Sequence, residues 1–579
     1  MSSNGYRQES DLLDPSQLEK VTAAVSKAVD PYGAIASLLT AQMAWAMHPQ
    51  EYMRAVSGLS GDLLALQGHI VRRMMGIRSD DVFEPNADDT RFASPVWKEA
   101  SWDILKECYL AFTRRWQDMY YETPGMSDKE RRRAAFWSRK WLNMMAPTNC
   151  FWLNPEAVRR AIDTRGDSVL KGMQNFARDY KAKNILMVDP KAFVVGKDLG
   201  MTPGKVVFRN RMLELIHYAP TTEKVRATPL VIITPWINKF YILDLVPKKS
   251  MLKYLTDQGY SVFITSWKNP TADMAGVRFD DYLTDGVGEA VRVASEFCKV
   301  PQVNLVGYCI GGTLVSTYMA WANRHYSPKE MPVNSWTLFT TLTDFARPGD
   351  IEVFIDETTI GAMENTMSKK GYLDGTEMAS SFRMLRSNSL IWNYWVHSYL
   401  LGEDLPPFDV LFWNMDATRM PFAMHSYYLR EMYLKNNLIK RDKLRISGEL
   451  IDLNQITQPL YAVTAEDDHI APWKECYRIR KFINVKAPMR FVLSTSGHIL
   501  GIVNPPTNPP KRSYWIADPE RNEHWEHWFE RAEKRSGTWW DDWTSWLAER
   551  SGDLVEAYPA SNRKFPALAD APGTYVLEK

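Results

Sequence analysis

The chain has 579 residues, of which 45% are hydrophobic and 24% are charged, a composition typical of a globular protein with room for more than one domain. Its formal net charge is only +1, so no overall field favours nucleic acid or another highly charged partner. No run approaches the roughly 18 apolar residues of a spanning helix, and we predict no membrane span.

The pattern of apolar residues divides the chain into two successive regions after a short tail. Residues 1–14 are predicted to be a disordered tail. Residues 15–190 are predicted to form a helical domain, because apolar residues recur at three-to-four spacing, for example over Trp97–Tyr120. From residue 191 to 579, short apolar runs and a helical stretch over Tyr282–Cys298 predict a largely parallel sheet. The predicted strands are Val206–Phe208, Leu213–Ile216, Leu230–Ile233, Ser261–Thr265, Val303–Val306, Trp336–Thr340, Leu460–Val463 and Phe491–Leu493.

The interval of about 345–445 interrupts this strand pattern. It has few strand signals and many aromatic residues, including Trp392, Trp395 and Trp413. Because it follows a predicted strand of the sheet, we predict that it forms a lid inserted into the second domain.

The cysteines and the N-terminal residues indicate a reducing compartment. The five cysteines are scattered and show neither a Cys-x-x-Cys pair nor a cysteine–histidine metal spacing, so we predict no metal and no resident cofactor. The first ten residues are polar and lack the apolar core of a signal peptide, which favours a cytoplasmic protein.

The most informative feature is Gly307-Tyr-Cys-Ile-Gly-Gly312, which directly follows a predicted buried strand. This is the strand–turn–helix setting of a nucleophile elbow, with a thiol where hydrolases usually carry serine. Gly307 and Gly311 must lack side chains because the sharp turn crowds its neighbours. A thioester passes to a thiol at nearly equal free energy, so Cys309 can hold an acyl chain. We predict an α/β-hydrolase fold with a lid insertion, preceded by a mostly helical N-terminal domain.

An elbow thiol needs a base, and in this fold the base follows the last strand of the sheet. His498 follows the predicted strand Phe491–Leu493, and we predict that it is the base. His469 also follows a strand, but for it we favour a helix-capping or hydrogen-bonding structural role. The orienting acid lies among four carboxylates that the sequence leaves open: Glu466, Asp467, Asp468 and, one strand earlier, Asp344.

A tetrahedral intermediate needs backbone donors for its oxyanion. We predict that one donor is the N–H of Ile310, which begins the helix after the thiol. The positive end of that helix would also lower the pKa of Cys309. The second donor is predicted to be the N–H of Ile237, in the loop after Leu230–Ile233.

Nine segments in the same order as in the family resemble the polyhydroxyalkanoate synthases, which make bacterial storage polyester. The resemblance covers roughly residues 90–579 and is specific because it does not depend on the elbow alone. The segments are Pro235–Asp244, Ser266–Pro270, Gly307–Thr313, Asn393–Tyr394, Phe412–Asn414, Asp468–Trp473, Ser496–His498, Asn504–Pro506 and Trp539–Trp543.

This resemblance implies Cys309 as nucleophile, Asp468 as acid and His498 as base, with the division of duties between Asp468 and His498 left open. It associates Arg386 with the coenzyme A phosphates, although Ser387 stands where the family usually has proline. Trp413 matches a family tryptophan linked to dimerisation, and a place in the lid core is the alternative. Further predicted contacts of the site are Asn238 and Ser496 for substrate or coenzyme A, and His469 and Asp244 as supporting residues.

The resemblance implies an acyltransferase that polymerises (R)-3-hydroxyacyl-CoA and releases CoA. The isoleucine that follows the nucleophile, Ile310, and the length of the chain resemble class I of the family. That class works without a partner subunit and prefers short monomers. We expect a cytoplasmic homodimer associated with polyester granules and with granule-associated proteins.

Two other functions stay open. A thioesterase or polyester hydrolase would use the same triad, and a granule-coating protein would need no triad. The tryptophans Trp539, Trp540, Trp543 and Trp546 could touch polymer, but we favour packing against the catalytic domain.

Overall fold

A computed structural model describes residues 30, 32–77, 79–86 and 89–579 of the chain, so the predicted tail over 1–14 lies outside the described residues. The chain divides into two units. The first contains the residues up to Asn184 together with Arg386–Glu403, and the second contains Ile185–Leu385 together with Asp404–Lys579. Within the described part of the chain, no helix is both long and apolar enough to cross a membrane.

Six α-helices lie in the described residues of the first unit, and local signals explain where two of them begin. The helix at Asp128 starts after a capping box formed by Ser127 and Glu130, and the helix at Pro155 starts where the Asn154 side chain accepts two backbone N–H groups. The predicted helical N-terminal region is therefore confirmed. The helices are α1 Ala34–Met47, α2 Pro49–Met74, α3 Ala100–Tyr121, α4 Asp128–Met144, α5 Pro155–Asp163 and α6 Asp167–Ala182.

The segment Arg386–Glu403 belongs to the first unit, although we predicted the whole of 345–445 as lid of the second. Two π-helical stretches, Asn388–Trp392 and Trp395–Leu400, make up most of it. The indole N–H of Trp395 donates to the carbonyl of Asn149 at 2.9 Å, and the Tyr399 hydroxyl donates to Asp179 at 2.7 Å. The aromatic residues that suggested a lid thus find polar partners among the N-terminal helices, which sequence spacing does not reveal.

Eleven strands form the main sheet of the second unit. Their order across the sheet is β10-β9-β8-β7-β6-β5-β3-β4-β2-β1-β11. The six central strands from β8 to β4 are parallel and the outer ones antiparallel. The strands are β1 Lys205–Arg209, β2 Leu213–Tyr218, β3 Leu230–Ile233, β4 Val262–Trp267, β5 Val303–Tyr308, β6 Val333–Phe339, β7 Leu460–Ala465, β8 Met489–Ser494, β9 Ser513–Ala517, β10 Glu533–Ser536 and β11 Ala569–Asp570.

All eight predicted strands are present, and the predicted α/β fold is confirmed. Three strands were not predicted: β9, which lies between β8 and β10, and the edge strands β10 and β11. The two edge strands have no run of apolar residues, so their sequence signals are weak. Three two-stranded ladders accompany the sheet: Lys224–Arg226 with Leu554–Glu556, Tyr372–Leu373 with Met420–Pro421, and Arg445–Ile446 with Glu449–Leu450.

Apolar side chains cover both faces of the sheet. Val231 and Ile233 belong to one buried cluster, whereas Leu230 and Ile232 belong to another, as the alternation of side chains along a strand requires. The second cluster includes all four C-terminal tryptophans, of which Trp546, at 5%, is the most exposed. The packing role that we favoured for these tryptophans is confirmed.

Helices flank the sheet and fill the insertion between the adjacent strands β6 and β7. The part of the insertion that belongs to the second unit, residues 345–385 and 404–445, is called the cap below. The helices of the second unit are Met251–Asp257, Phe279–Asp281, Glu289–Cys298, Ile310–His325, Glu357–Lys370, Gly375–Leu385, Asp409–Met415, Phe422–Tyr427, Trp473–Tyr477, Ile479–Phe482, Trp525–Arg531 and Trp540–Ala548, with π-helical stretches at Tyr282–Gly288 and Tyr428–Leu434.

Candidate active site

Cys309 lies at a sharp turn between strand β5 and the helix Ile310–His325. Its backbone has φ 53° and ψ −122°, a conformation that residues other than glycine rarely adopt. Its side chain is half-buried. This strained turn presents the sulfur at the carboxyl end of the parallel strands, where ligands of open α/β sheets bind.

Three glycines make the turn sterically allowed. A Cβ on Gly307 would lie 2.5 Å from the Cα of Gly312, and a Cβ on Gly311 would lie 2.6 Å from the carbonyl oxygen of Ile233. A Cβ on Gly312 would overlap the Thr341 side chain. The close approaches predicted for Gly307 and Gly311 are present, and Gly312 adds a third.

His498 connects the thiol to a buried carboxylate. Its Nδ1 donates to Asp468 Oδ2 at 2.7 Å. The other oxygen of Asp468 accepts the backbone N–H groups of Ile470 and Ala471 at 2.8 and 2.9 Å. These bonds hold the carboxylate in place, which orients the imidazole so that its Nε2 is available to the thiol.

The surroundings of His498 favour its protonated form. Burial by itself lowers the pKa of His498, but the charges of Asp468 and Cys309, together with hydrogen bonds to both, outweigh it and raise the pKa to about 10. An imidazolium with a raised pKa stabilises a neighbouring thiolate. The arrangement can therefore supply a nucleophilic sulfur and a proton donor for a leaving group.

The other three candidate acids have different environments. Glu466 and Asp467 are exposed. Asp344 is buried, but one oxygen accepts from Asn436 Nδ2 at 2.8 Å and the other lies 2.9 Å from an Arg478 nitrogen. Asp468 is thus the one of the four bonded to His498. His469, for which we favoured a structural role, is half-buried next to Asp468.

The two predicted oxyanion donors come from neighbouring segments. Ile310 is the first residue of its helix, and the next residue, Gly311, packs against the carbonyls of Ile233 and Thr234 at the end of β3. Ile237 follows in the loop after β3. Within the described residues, neither the Ile310 nor the Ile237 N–H donates to another protein group.

The predicted substrate contacts lie in structured surroundings. The side-chain amide of Asn238 donates to the carbonyls of Trp413, Asn414 and Asp416 at 3.2–3.3 Å. Ser496 has φ 82°, and its carbonyl accepts the N–H of Asp467 at 3.0 Å. Both remain predictions as substrate contacts.

Three further predicted residues differ in their environments. Asp244 is buried and accepts from the hydroxyls of Thr202 and Ser250 at 2.5 and 2.6 Å. Trp413 is buried, and its indole N–H donates to the Lys239 carbonyl at 2.6 Å, which supports the lid-core alternative. Arg386 belongs to the first unit, whereas the triad belongs to the second.

Two cap tyrosines near the thiol are absent from the sequence-based site. Burial raises the pKa of Tyr428 and Tyr433, and the charge of Cys309 contributes to the rise in both. They are therefore neutral phenols within electrostatic range of the sulfur. The aromatic content of the cap was visible in the sequence, but nothing there indicated which tyrosines approach Cys309.

A separate polar cluster lies in the first unit. His69, Asp103 and Glu107 are buried with ligand-type atoms within 4.8 Å of one another. Asp103, however, is contacted by Arg73 Nε at 2.6 Å and by Lys106 Nζ at 2.9 Å. Protein cations already balance its charge, so the cluster is best described as a buried ion network.

Comparisons with known proteins identify the family and the fold. A family model described as the N-terminus of poly-beta-hydroxybutyrate polymerase (PhaC) matches residues 88–255, and a model of the alpha/beta hydrolase fold matches residues 229–505. The poly(3-hydroxyalkanoate) polymerase subunit PhaC of Rhizobium etli is 37% identical over 92% of this chain and 84% of its own length.

Two further relatives have similar coverage. The poly(3-hydroxyalkanoate) polymerase of Methylorubrum extorquens is 37% identical over 92% of this chain and 88% of its own length. The PhaC subunit of Cupriavidus necator is 39% identical over 85% of this chain and 83% of its own length. Identity at this level over most of both chains shows that this protein belongs to the poly(3-hydroxyalkanoate) polymerase family and is built on an α/β-hydrolase fold.

Proposed function

We propose that the protein polymerises (R)-3-hydroxyacyl-CoA into polyhydroxyalkanoate and releases CoA, with the growing acyl group held as a thioester on Cys309. The observation that carries this proposal is the pairing of the elbow thiol with His498, whose Nδ1 is 2.7 Å from Asp468 Oδ2. A thiol in that setting exchanges thioesters without a large free-energy step.

Acylation begins with attack of the Cys309 thiolate on the thioester carbonyl. The carbonyl oxygen gains negative charge and accepts hydrogen bonds from the N–H groups of Ile310 and Ile237. When the tetrahedral intermediate collapses, the bond to the CoA sulfur breaks. His498 then gives its proton to that sulfur, so CoA leaves as a neutral thiol.

Elongation uses the hydroxyl of a second hydroxyacyl unit. Its oxygen attacks the carbonyl bound to Cys309, an ester bond forms, and the Cys309 thiolate is released as the leaving group. We assign removal of the hydroxyl proton to His498. Both oxygens of Asp468 already accept hydrogen bonds, from His498 and from two backbone N–H groups, which favours an orienting role for Asp468.

Water must be kept from the acyl-enzyme, because hydrolysis would end the chain. The cap supports this requirement by placing the buried Tyr428 and the half-buried Tyr433 close to Cys309. A hydrolase on the same fold would have to admit water to the same carbonyl. This difference separates the proposed polymerase from the alternative thioesterase or polyester hydrolase.

Chromatographic analysis of the products tests the proposal. Purified protein is incubated with short-chain and with medium-chain (R)-3-hydroxyacyl-CoA, and released CoA is measured together with free acid and insoluble polyester. We expect polyester, mainly from the short-chain substrate, and no CoA release by Cys309→Ala. Free hydroxy acid as the main product would establish the hydrolase. Normal acyl-enzyme labelling of Cys309→Ala would refute the nucleophile.

The remaining features are part of the same proposal. We propose a homodimer, granule-associated protein partners and a location on polyester granules in the cytoplasm, with Arg386 contacting the coenzyme A phosphates. Sedimentation with and without substrate measures the dimer. Replacing Arg386 by methionine is expected to raise the KM for the CoA thioester while leaving alkylation of Cys309 unchanged.

A further inference from the structure

The loop that carries the Ile237 N–H is held by the cap. Asn238, the next residue, has φ 62°, a left-handed conformation that a residue with a side chain adopts only when its surroundings hold it there. The surroundings of this loop include Trp413–Thr418, which we call the clamp segment. The clamp segment begins near the end of the cap helix Asp409–Met415.

The Thr418 hydroxyl contacts the loop on both sides of Ile237. It accepts the backbone N–H of Asn238 at 2.9 Å and donates to the carbonyl of Trp236 at 2.6 Å. Thr418 is buried, so water cannot readily replace either bond.

Peptide geometry turns the second of these bonds into a constraint on the oxyanion donor. The Trp236 carbonyl and the Ile237 N–H belong to one planar trans peptide, so they point in opposite directions. When Thr418 holds the oxygen, it also sets the direction of the N–H. Rotation of this peptide would turn the N–H away from the oxyanion of the tetrahedral intermediate on Cys309, even if no atom near Cys309 moved.

The rest of the clamp segment reinforces the same loop. The side-chain amide of Asn238 donates to the carbonyls of Trp413, Asn414 and Asp416 at the end of the cap helix. The Trp413 indole donates to the Lys239 carbonyl at 2.6 Å, and Lys239 Nζ lies 3.0 Å from Asp416 Oδ1. These contacts all join Trp236–Lys239, which we call the oxyanion loop, to the cap.

We propose that Thr418 is a positioning residue for the oxyanion hole, and that the Ile237 N–H is correctly aimed only while the clamp segment is docked on its loop. This inference rests on the proposed thioester chemistry and extends it. Its consequence is that displacement of the cap, which would admit water, also disables the donor that a hydrolytic attack would need.

The test compares acylation with alkylation of the same sulfur. Acylation is measured as the pre-steady-state burst of CoA from a short-chain (R)-3-hydroxyacyl-CoA. Alkylation by iodoacetamide is followed by mass spectrometry of the Cys309 peptide, because that displacement forms no oxyanion. The variants are Thr418→Val, which keeps the shape but removes the hydroxyl, and Thr418→Ser, which keeps the hydroxyl. Thr366→Val makes the same change at an exposed cap position whose hydroxyl contacts only its own helix.

We expect Thr418→Val to acylate about 10- to 100-fold more slowly, with the KM for the thioester and the alkylation rate within about twofold of wild type. Thr418→Ser and Thr366→Val should acylate within about threefold of wild type. Wild-type acylation by Thr418→Val, or an equal loss of acylation and alkylation, would overturn the proposal. If Thr418→Val does not fold, Thr418→Ala, which introduces no larger group, takes its place. A wild-type enzyme that releases no CoA would instead refute the proposed function.

Discussion

Cys309 and Asn238 both have left-handed backbones beside the candidate site, with φ 53° and 62°, but different parts of the chain hold them. Close packing of Gly307, Gly311 and Gly312, all within three residues of it, allows the turn at Cys309. Asn238 is held by hydrogen bonds to residues that lie 175–180 positions later in the sequence. The turn at Cys309 thus depends on glycines close to it in the sequence, whereas the loop at Asn238 depends on a distant segment.

The largest expected effect comes from adding a side chain at the tightly packed turn around Cys309. Gly312→Ala would place a Cβ inside the Thr341 side chain, and we expect it to abolish CoA release and to lower the free energy of unfolding by about 3 kcal/mol. Urea unfolding and the CoA assay measure both effects.

A matched control uses a glycine without this crowding. Gly361 lies in the cap helix Glu357–Lys370 with open space around the position of a Cβ. Gly361→Ala should therefore raise the free energy of unfolding by about 0.5–1 kcal/mol. Near-normal activity of Gly312→Ala would show that the elbow tolerates a side chain there.

The next largest effect is expected from removing the negative charge of Asp468 beside His498. Asp468→Asn keeps the shape of the acid but removes the charge that raises the pKa of His498, and we expect acylation to fall by about 10³- to 10⁴-fold. Burst kinetics of CoA release measure this loss. A decrease of less than tenfold would argue against an Asp468-oriented imidazole.

The same substitution predicts a change in the pH dependence of stability. The folded protein holds the pKa of His498 at about 10, above the ordinary value of about 6.5, so it keeps a proton that the unfolded chain releases between these values. This stabilisation is present below about pH 6.5 and is lost as the pH rises through about 10. Urea unfolding at several pH values should show a steeper decline for wild type than for Asp468→Asn, and parallel curves would contradict the assignment.

The smallest expected effect separates strain from hydrogen bonding in the oxyanion loop. Asn238→Gly removes the amide but permits the left-handed backbone, whereas Asn238→Ala removes the amide and disfavours that backbone. We expect both to slow acylation, and the alanine variant to be less stable than the glycine variant by about 1 kcal/mol. Equal stability by urea unfolding would show that the φ of Asn238 is not strained by the fold.

Much of the second unit could be predicted from the sequence. Buried parallel strands are continuous apolar runs, so β3, β5 and β7 were visible without coordinates. The resemblance selected Asp468 from the four candidate acids, and the order of the strands then predicted its pairing with His498. The place of Arg386–Glu403 in the first unit was missed, because aromatic spacing does not identify the helices that donate and accept its hydrogen bonds.

The sequence by itself determined the position of the thiol, the glycines that permit its turn, and the chain order of Cys309, Asp468 and His498, because each depends on neighbours within a few residues or on the order of strands. Only the tertiary structure decided that Asp344 binds Arg478, that Tyr428 and Tyr433 approach Cys309, and that Thr418 holds the peptide of Ile237. These contacts join residues far apart in the chain. Their partners are selected by how the cap packs, which no local pattern of side chains encodes.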